Sequence, residues 1–272
     1  MKFSIITVIY NSADTISDCL TSILNQTYPD IEYIIIDGGS SDSSIEKIRS
    51  CPNRVTKLIS ENDNGIYDAL NKGIKNAGGD IIGILHSDDI MASDTIIEDV
   101  SNKFLQTSAD IVYGDLDYVN RKDTNIIVRH WKSNPFDRSL IVKGWMPAHP
   151  AMFIRRDIFT KYGLYDLQYH ISSDYDLILR LMQIRDIKFE YLPVVITKMR
   201  MGGVSNSSIK NILLKSLEDY TIMKKNGLKY PFITLLRKNI SKLHQFFCKK
   251  QSNKISSLNN YSFSVFTVSY FY

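Results

Sequence analysis

Short apolar runs alternate, along the first 115 residues, with stretches whose apolar positions recur every three or four residues. Residues 3–10 are β-branched and aromatic, as a central strand requires. Asn11-Ser12 can turn the chain and cap a helix, after which Ile16, Cys19, Leu20, Ile23 and Leu24 repeat at helical spacing. Pro29 marks the exit. A second strand is expected over 31–36, ending in Asp37-Gly38-Gly39-Ser40-Ser41-Asp42, where glycine permits a tight turn. A third covers 55–59, and a polar turn follows at 61–65. Ile66, Leu70, Ile74 and Ala77 then share one helical face, with Gly73 allowing close packing. Residues 81–89 read Ile-Ile-Gly-Ile-Leu-His-Ser-Asp-Asp, a buried strand that stops at two adjacent carboxylates. A helix over 94–106 buries Ile97, Val100 and Phe104 or Leu105, and a strand over 111–113 ends at Gly114-Asp115.

That order is βαβαβαβαβ. It predicts an α/β fold with a mostly parallel central sheet flanked by helices. Right-handed crossovers put the polar strand ends on one rim, which collects Tyr10, Asn11, Asp37, Asp63, Asp88, Asp89 and Asp115. Open parallel sheets bind ligands at this edge. Asp88 and Asp89 repel one another and need a cation, a donor or full solvation. A hard divalent ion bridging to phosphate oxygens satisfies that need; taken alone, a solvated turn or helix cap explains them as well.

The second half is less regular. Residues 120–134 are polar and charged and read as an excursion from the core. Trp145 and Met146 can form an apolar wall, and Pro147 and Pro150 stiffen the chain on either side of His149. A strand is expected over 151–154, then a Gly-Leu-Tyr-Asp turn, then a helix capped by Ser172 or Ser173 with Asp174 and Asp176 in its first turn. On its own Asp174 is a helix-start carboxylate. After a strand over 189–198, Arg200 leads a loop containing Gly202-Gly203, where it meets a phosphate or is surface charge. Ile212, Leu213, Leu217 and Tyr220 are expected to pack back on the core. Phe232, Leu235, Leu236, Ile240, Leu243 and Phe247 form an apolar helical face beside Arg237, Lys238, Lys242, Lys249 and Lys250. That pattern resembles an interfacial helix on an anionic membrane, or else a helix for domain packing or a homodimer. Residues 261–272 are aromatic and Ser-rich, too short to span a bilayer. The domains expected are 1–205, divided into 1–115 and 116–205, and a helical extension over 206–272.

Composition narrows the classes. With 272 residues, 44% hydrophobic and 23% charged, the chain supports one substantial core with an appendage. A formal charge of +4 suits anionic substrates or membrane surfaces. No dense basic stripe interleaved with aromatics marks the first two hundred residues, so nucleic acid is not an expected partner. Cys19, Cys51 and Cys248 have neither metal-site nor disulfide-framework spacing, which fits a reducing compartment. Residues 3–10 are too short for a spanning helix and lack a processing site, so a cytoplasmic location is expected, peripheral at the inner membrane face. No Gly-x-Gly-x-x-Gly opens the first helix, and no Gly-x-x-x-x-Gly-Lys-Ser/Thr loop is present.

Several segments carry a resemblance. They are Ser4-Ile5-Ile6-Thr7-Val8-Ile9-Tyr10-Asn11, Ile35-Ile36-Asp37-Gly38-Gly39-Ser40-Ser41-Asp42, Asn64-Gly65-Ile66-Tyr67-Asp68-Ala69-Leu70-Asn71-Lys72-Gly73 and His86-Ser87-Asp88-Asp89. Pro147-Ala148-His149-Pro150 and Ser173-Asp174-Tyr175-Asp176-Leu177 follow. In this order, over roughly residues 2–205, the chain resembles family 2 glycosyltransferases of the GT-A fold, nearest to bacterial enzymes of exopolysaccharide, capsule or lipopolysaccharide assembly.

The resemblance implies a metal-dependent inverting transfer of sugar from a nucleotide-diphospho-sugar, with UDP the first choice, to a glycan or lipid-linked acceptor. By it, Thr7, Val8, Tyr10 and Asp37 line the nucleoside pocket, and Ser87 joins the donor site. Asp68 and Lys72, four apart on a helix, form an ion pair or approach the nucleotide. Asp88 stands at the final carboxylate of the family's Asp-x-Asp motif and would hold Mn2+ or Mg2+. His86 occupies its first position, where many relatives have Asp or Asn. Asp89 supports the turn or touches the donor sugar. Asp174 matches the general base of a Glu-Asp motif, with Ser173 in place of Glu. Trp145, His149, Ser173 and Arg200 are further candidates for donor or acceptor contacts. The alternatives are a nucleotidyltransferase, which lacks its basic glycine-rich phosphate loop here, and a degenerate glycan- or nucleotide-binding partner protein, motivated by His86 and Ser173.

Overall fold

The computed structural model describes residues 1–51, 55–202 and 209–247. Their strands are β1 (Phe3–Ile9), β2 (Ile31–Asp37), β3 (Val55–Ser60), β4 (Ile81–Ile84), β5 (Ile90–Met91), β6 (Ile111–Val119), β7 (Ile127–Trp131), β8 (Met152–Arg155) and β9 (Phe189–Arg200). The helices are α1 (Ile16–Leu24), α2 (Ser44–Arg49), α3 (Ile66–Asn76), α4 (Ile96–Thr107), α5 (Arg156–Tyr162), α6 (Ser173–Gln183), α7 (Ile209–Lys225) and α8 (Pro231–Phe247).

One sheet runs β3-β2-β1-β4-β8-β6-β9-β5, with β7 paired to β6. β1 lies parallel between β2 and β4, in registers that start at Phe3↔Ile31 and Phe3↔Ile81. The turns after these three strands therefore emerge at one edge, as the βα alternation predicts.

β6 departs from the simplest expectation. It keeps the common direction but does not adjoin β4, because β8 enters antiparallel between them. Gly83 makes room for this insertion, since a Cβ there would collide with the Phe153 ring. The expected excursion at 120–134 is also corrected. β7 lies there as an antiparallel partner of β6, with every second side chain exposed. Its arginine hides the strand pattern, and Arg129 stacks its guanidinium 4.6 Å from the Tyr118 ring centroid.

Apolar side chains fill both faces of the sheet. Phe3, Ile5, Leu20, Ile97 and Phe153 belong to one core with α1 and α4, while Ile6, Ile36, Leu70, Ile178 and Leu181 belong to the other with α3 and α6. Each fully buried side chain of this size contributes about 1.5–3 kcal/mol.

A third cluster joins α6 to α7 through Tyr175, Leu179, Ile222 and Met223. Here the helical face differs from expectation. Ile212, Leu213, Leu217 and Tyr220 face solvent, and the inward face carries Glu218, Asp219, Ile222 and Met223. Both acids are buried because donors await them: backbone amides for Glu218, and Lys238 at 2.8 Å for Asp219. Lys238 is accordingly buried, not part of an outer basic face. On α8, Phe232, Ile233, Leu236 and Ile240 are exposed. The expectations for Gly203 to Ser205, for the side chains of Lys242, Leu243 and Phe247, and for residues 248–272 fall outside what is described. Among the described residues no helix is long and apolar enough to cross a membrane.

Candidate active site

The rim where β1, β2 and β4 end is stitched together locally. Asn11 adopts a left-handed conformation (φ 48°), and its side-chain oxygen accepts the Ser41 amide at 2.9 Å. The Ser12 and Ala13 amides donate to Ser44 and Asp42, and Ser12 meets Ser87 hydroxyl to hydroxyl at 2.8 Å. Tyr10 stands free at this edge, 67% exposed.

Three residues expected to line a nucleoside pocket lie toward the ends of β1 and β2. Thr7 is fully buried and accepts the Tyr33 hydroxyl at 3.1 Å, while Val8 belongs to the core on the α3 face. Asp37 is also fully buried. Its two oxygens take the Ser40 amide at 3.1 and 3.2 Å, and Ser60 donates to it at 2.6 Å. The carboxylate thus shapes the turn beneath the rim. On α3, Asp68 and Lys72 do approach each other, at 3.7 Å, but both serve the preceding turn. Asp68 accepts the Asn64 amide, while Lys72 reaches Glu61 at 3.0 Å and the Asn62 carbonyl.

The acidic tip after β4 resolves into two unlike groups. Asp89 is buried, accepts the Arg200 amide at 3.3 Å through Oδ1, and has no partner on Oδ2. Burial, with the Asp88 charge adding to it, holds its carboxyl well above the usual carboxylate range. Asp88 is half-buried, and no hydrogen bond or ion pair reaches its carboxylate among the described residues. Arg200 is neither surface charge nor an uncommitted phosphate ligand. Only 3% exposed, it donates to the Asp88 carbonyl at 2.9 Å and the Arg121 carbonyl at 3.1 Å, and pairs with Asp18. It therefore fastens the acidic turn to β9 and α1.

Two histidines stand beside this turn, their ring centroids 6.2 Å apart. Burial lowers both pKa values, that of His149 to about 4, so both imidazoles are neutral near pH 7. His149 Nε2 shares a 2.6 Å hydrogen bond with the Tyr165 hydroxyl. His86 Nδ1 is buried with no partner. Asn71 on α3 clamps the Tyr165 backbone through both of its amide atoms. The Tyr67 hydroxyl contacts Asp174 Oδ1 at 3.1 Å and the Ile171 carbonyl at 2.7 Å.

Asp174 sits half-buried in the first turn of α6, its charge felt by both histidines. Neither Ser172 nor Ser173 caps this helix with its side chain. Ser173 is fully buried and donates to the Asp166 carbonyl at 2.8 Å, which commits it to the loop. Trp145 is half-buried, edge-on to Tyr113. The rim, His86, Asp88, His149 and Asp174 thus gather between the sheet edge and α6. The sequence reading gave Tyr67, Asn71 and Tyr165 no site role of their own: the first two stand inside a motif on α3, and Tyr165 lies in the turn after α5.

Residues 4–163 match glycosyl transferase family 2. The chain belongs to that family. It is 32% identical over 220 residues to a PGL/p-HBAD biosynthesis glycosyltransferase of Mycobacterium bovis, spanning 79% of this chain and 83% of the relative. It is 28% identical over 233 residues to a glycosyltransferase of Rickettsia typhi, spanning 83% and 71%. Among solved structures, S. aureus TarS residues 1–349 in complex with UDP-GlcNAc aligns with a TM-score of 0.64 at 17% identity, over 89% of this chain and 73% of that one. The mannosyltransferase PcManGT of Pyrobaculum calidifontis, in complex with GDP-Man and Mn2+, aligns at 0.60 and 16% identity, over 87% and 68%. The fold of this glycosyltransferase is thereby the GT-A fold that the sequence motifs imply.

Proposed function

We propose that the protein transfers a sugar from a UDP-sugar, with inversion, to a hydroxyl of a glycan or lipid-linked acceptor during surface-polysaccharide assembly. The observation that carries this reading is the meeting of α6 with the strand-end rim. Asp174, joined to Tyr67, lies within electrostatic reach of His86, two residues before Asp88, whose carboxylate has no partner among the described residues. The TarS complexes with UDP and UDP-GlcNAc support the choice of donor class.

In this mechanism Asp174 takes the acceptor's hydroxyl proton as that oxygen attacks the anomeric carbon. One base acting from one side makes a single displacement, hence inversion; retention needs a second, nucleophilic carboxylate close by. The neutral imidazoles of His86 and His149 offer uncharged hydrogen-bonding groups beside the reacting sugar. No cluster of three metal-binding side chains occurs among the described residues. Asp88 nevertheless fits a divalent ion that takes most of its ligands from phosphate and water. Bound there, Mn2+ or Mg2+ would neutralise charge on the departing diphosphate.

The outer surface of α7 and α8 suits contact with an anionic membrane. It exposes Leu213, Leu217, Phe232, Ile233, Leu236 and Ile240, and its exposed charges include Lys210, Lys224 and Arg237, with Lys229 exposed in the turn between the helices. The acids of the described part, Glu218 and Asp219, are buried. This surface would hold a cytoplasmic enzyme beside a lipid-linked acceptor.

Calorimetry with UDP, GDP, CDP and their common sugar conjugates, with and without Mn2+, tests the donor assignment. Selective, metal-enhanced binding of a UDP-sugar is expected. Absence of binding from folded protein with Mn2+ present would reject it in favour of a degenerate partner protein.

A further inference from the structure

Glu218 lies on α7, 8% exposed, and its carboxylate accepts from three consecutive amides. His170 donates to Oε1, and Ile171 and Ser172 donate to Oε2, each at 2.9 Å. These amides lead directly into α6 and stop two residues short of Asp174. Ser172, at the N-cap position, is itself 1% exposed, so its amide has no recourse to solvent. Tyr67 in turn donates to the Ile171 carbonyl at 2.7 Å. The peptide entering α6 is therefore gripped by a carboxylate through its amides and by a phenol through a carbonyl.

Other bonds from the C-terminal part hold α6 and the loop before it at different points. Asn226 donates to Asp176 at 3.1 Å, Lys225 pairs with Asp166 at 2.8 Å, and the Lys238 ammonium lies 3.2 Å from the Tyr175 ring centroid. None of these bonds touches the backbone next to Asp174. Glu218 does, and a charged acceptor on neutral donors makes the stronger kind of hydrogen bond.

We propose that Glu218 is a positioning residue for glycosyl transfer: it fixes the backbone of residues 170–172 and thereby the direction from which Asp174 meets the acceptor. The role rests on Asp174 being the base of the reaction proposed above. It assigns part of the active-site machinery to the C-terminal helices, apart from the strand ends that carry the donor side. Loss of the carboxylate should consequently separate the two halves of the chemistry. Donor binding stays and transfer fails, because small errors in the placement of a base are costly.

The test uses full-length Glu218→Gln and Glu218→Ala, with Gln retaining one acceptor oxygen if Ala does not fold. Three quantities are read. Amide hydrogen exchange over 167–175 should accelerate about tenfold or more as local protection is lost. UDP affinity by calorimetry should stay within about twofold of wild type, and kcat for UDP release, with membrane extract supplying acceptor, should fall about tenfold or more. Unchanged exchange overturns the proposal whatever the kinetics show. Faster exchange with unchanged kcat overturns it too, and so does loss of UDP affinity in step with kcat, which marks general loosening. A parallel Asp174→Asn protein separates the two ideas: normal turnover in that variant removes the base assignment, whereas the exchange result depends on Glu218 alone.

Discussion

The Tyr67 hydroxyl contacts Asp174 Oδ1 at 3.1 Å across 107 residues of chain, tying α3 of the donor side to the first turn of α6. Burial and the Asp174 charge raise the Tyr67 pKa, so the phenol stays a hydrogen-bond donor throughout the working pH range. Tyr67→Phe keeps the ring and removes the donor. Transfer should fall about tenfold, while the UDP dissociation constant stays within about twofold, as expected when only a group's aim is lost. Steady-state kinetics paired with calorimetry reads both.

Asp174→Asn removes the proton acceptor with little change in size. A general base is worth about 10²–10⁴-fold in rate, and kcat should fall by that order with donor affinity retained. Near-normal transfer would reject the assignment.

Asp88→Asn should cost the part of UDP affinity that Mn2+ adds, about tenfold or more, and leave metal-free binding alone. Titrating UDP with and without Mn2+ into both proteins measures the difference. Equal metal enhancement in the two would remove Asp88 from the diphosphate site.

Acid should weaken the fold through His149. Its folded pKa of about 4 lies below that of an unfolded histidine, about 6.5. Between these values the unfolded chain binds the extra proton, so stability falls as pH drops from about 6.5 to 4, by about 3 kcal/mol in total. His86 acts in the same direction, and Asp89, with its raised pKa, in the opposite one. The informative quantity is therefore the difference between wild type and His149→Asn. Urea unfolding at stepped pH should show a shallower slope in the variant.

On α8, Leu236 and Ile240 are 46% and 62% exposed, so replacing both with Glu should change folding stability by about 0.5 kcal/mol or less apiece. Binding to phosphatidylglycerol vesicles should drop about tenfold or more, since each apolar side chain of this kind is worth about 1.5–3 kcal/mol on burial. Cosedimentation checks it, with phosphatidylcholine vesicles as the uncharged control. Equal binding by the double variant would exclude this face.

Regularly periodic segments were legible before the structure. The β1, β2 and β4 runs and the face of α1 lie where their apolar spacing puts them, and α3 buries Leu70 and Ile74 as expected but leaves Ile66 exposed. Contacts distant in sequence were not. No local pattern shows that β8 will enter beside Gly83, or that Arg200 will close on Asp88 and Asp18. The α7 face was misjudged for a related reason: helical spacing permitted either side inward, and the partners that bury Glu218 and Asp219 lie elsewhere in the chain. At the site, the order of motifs indicated the family. Which strand-end carboxylate stays available was decided by burial, which hides Asp37 and Asp89 and leaves Asp88 half-open.

Glu218 follows the amides it holds by 46 to 48 residues. A polypeptide emerging from the ribosome has β1 to β4 complete well before α7 has been made, and the peptide leading to Asp174 must wait for its acceptor. If Glu218 aims Asp174 as proposed, transfer cannot begin before α7 is made, however early the strands of the rim are complete.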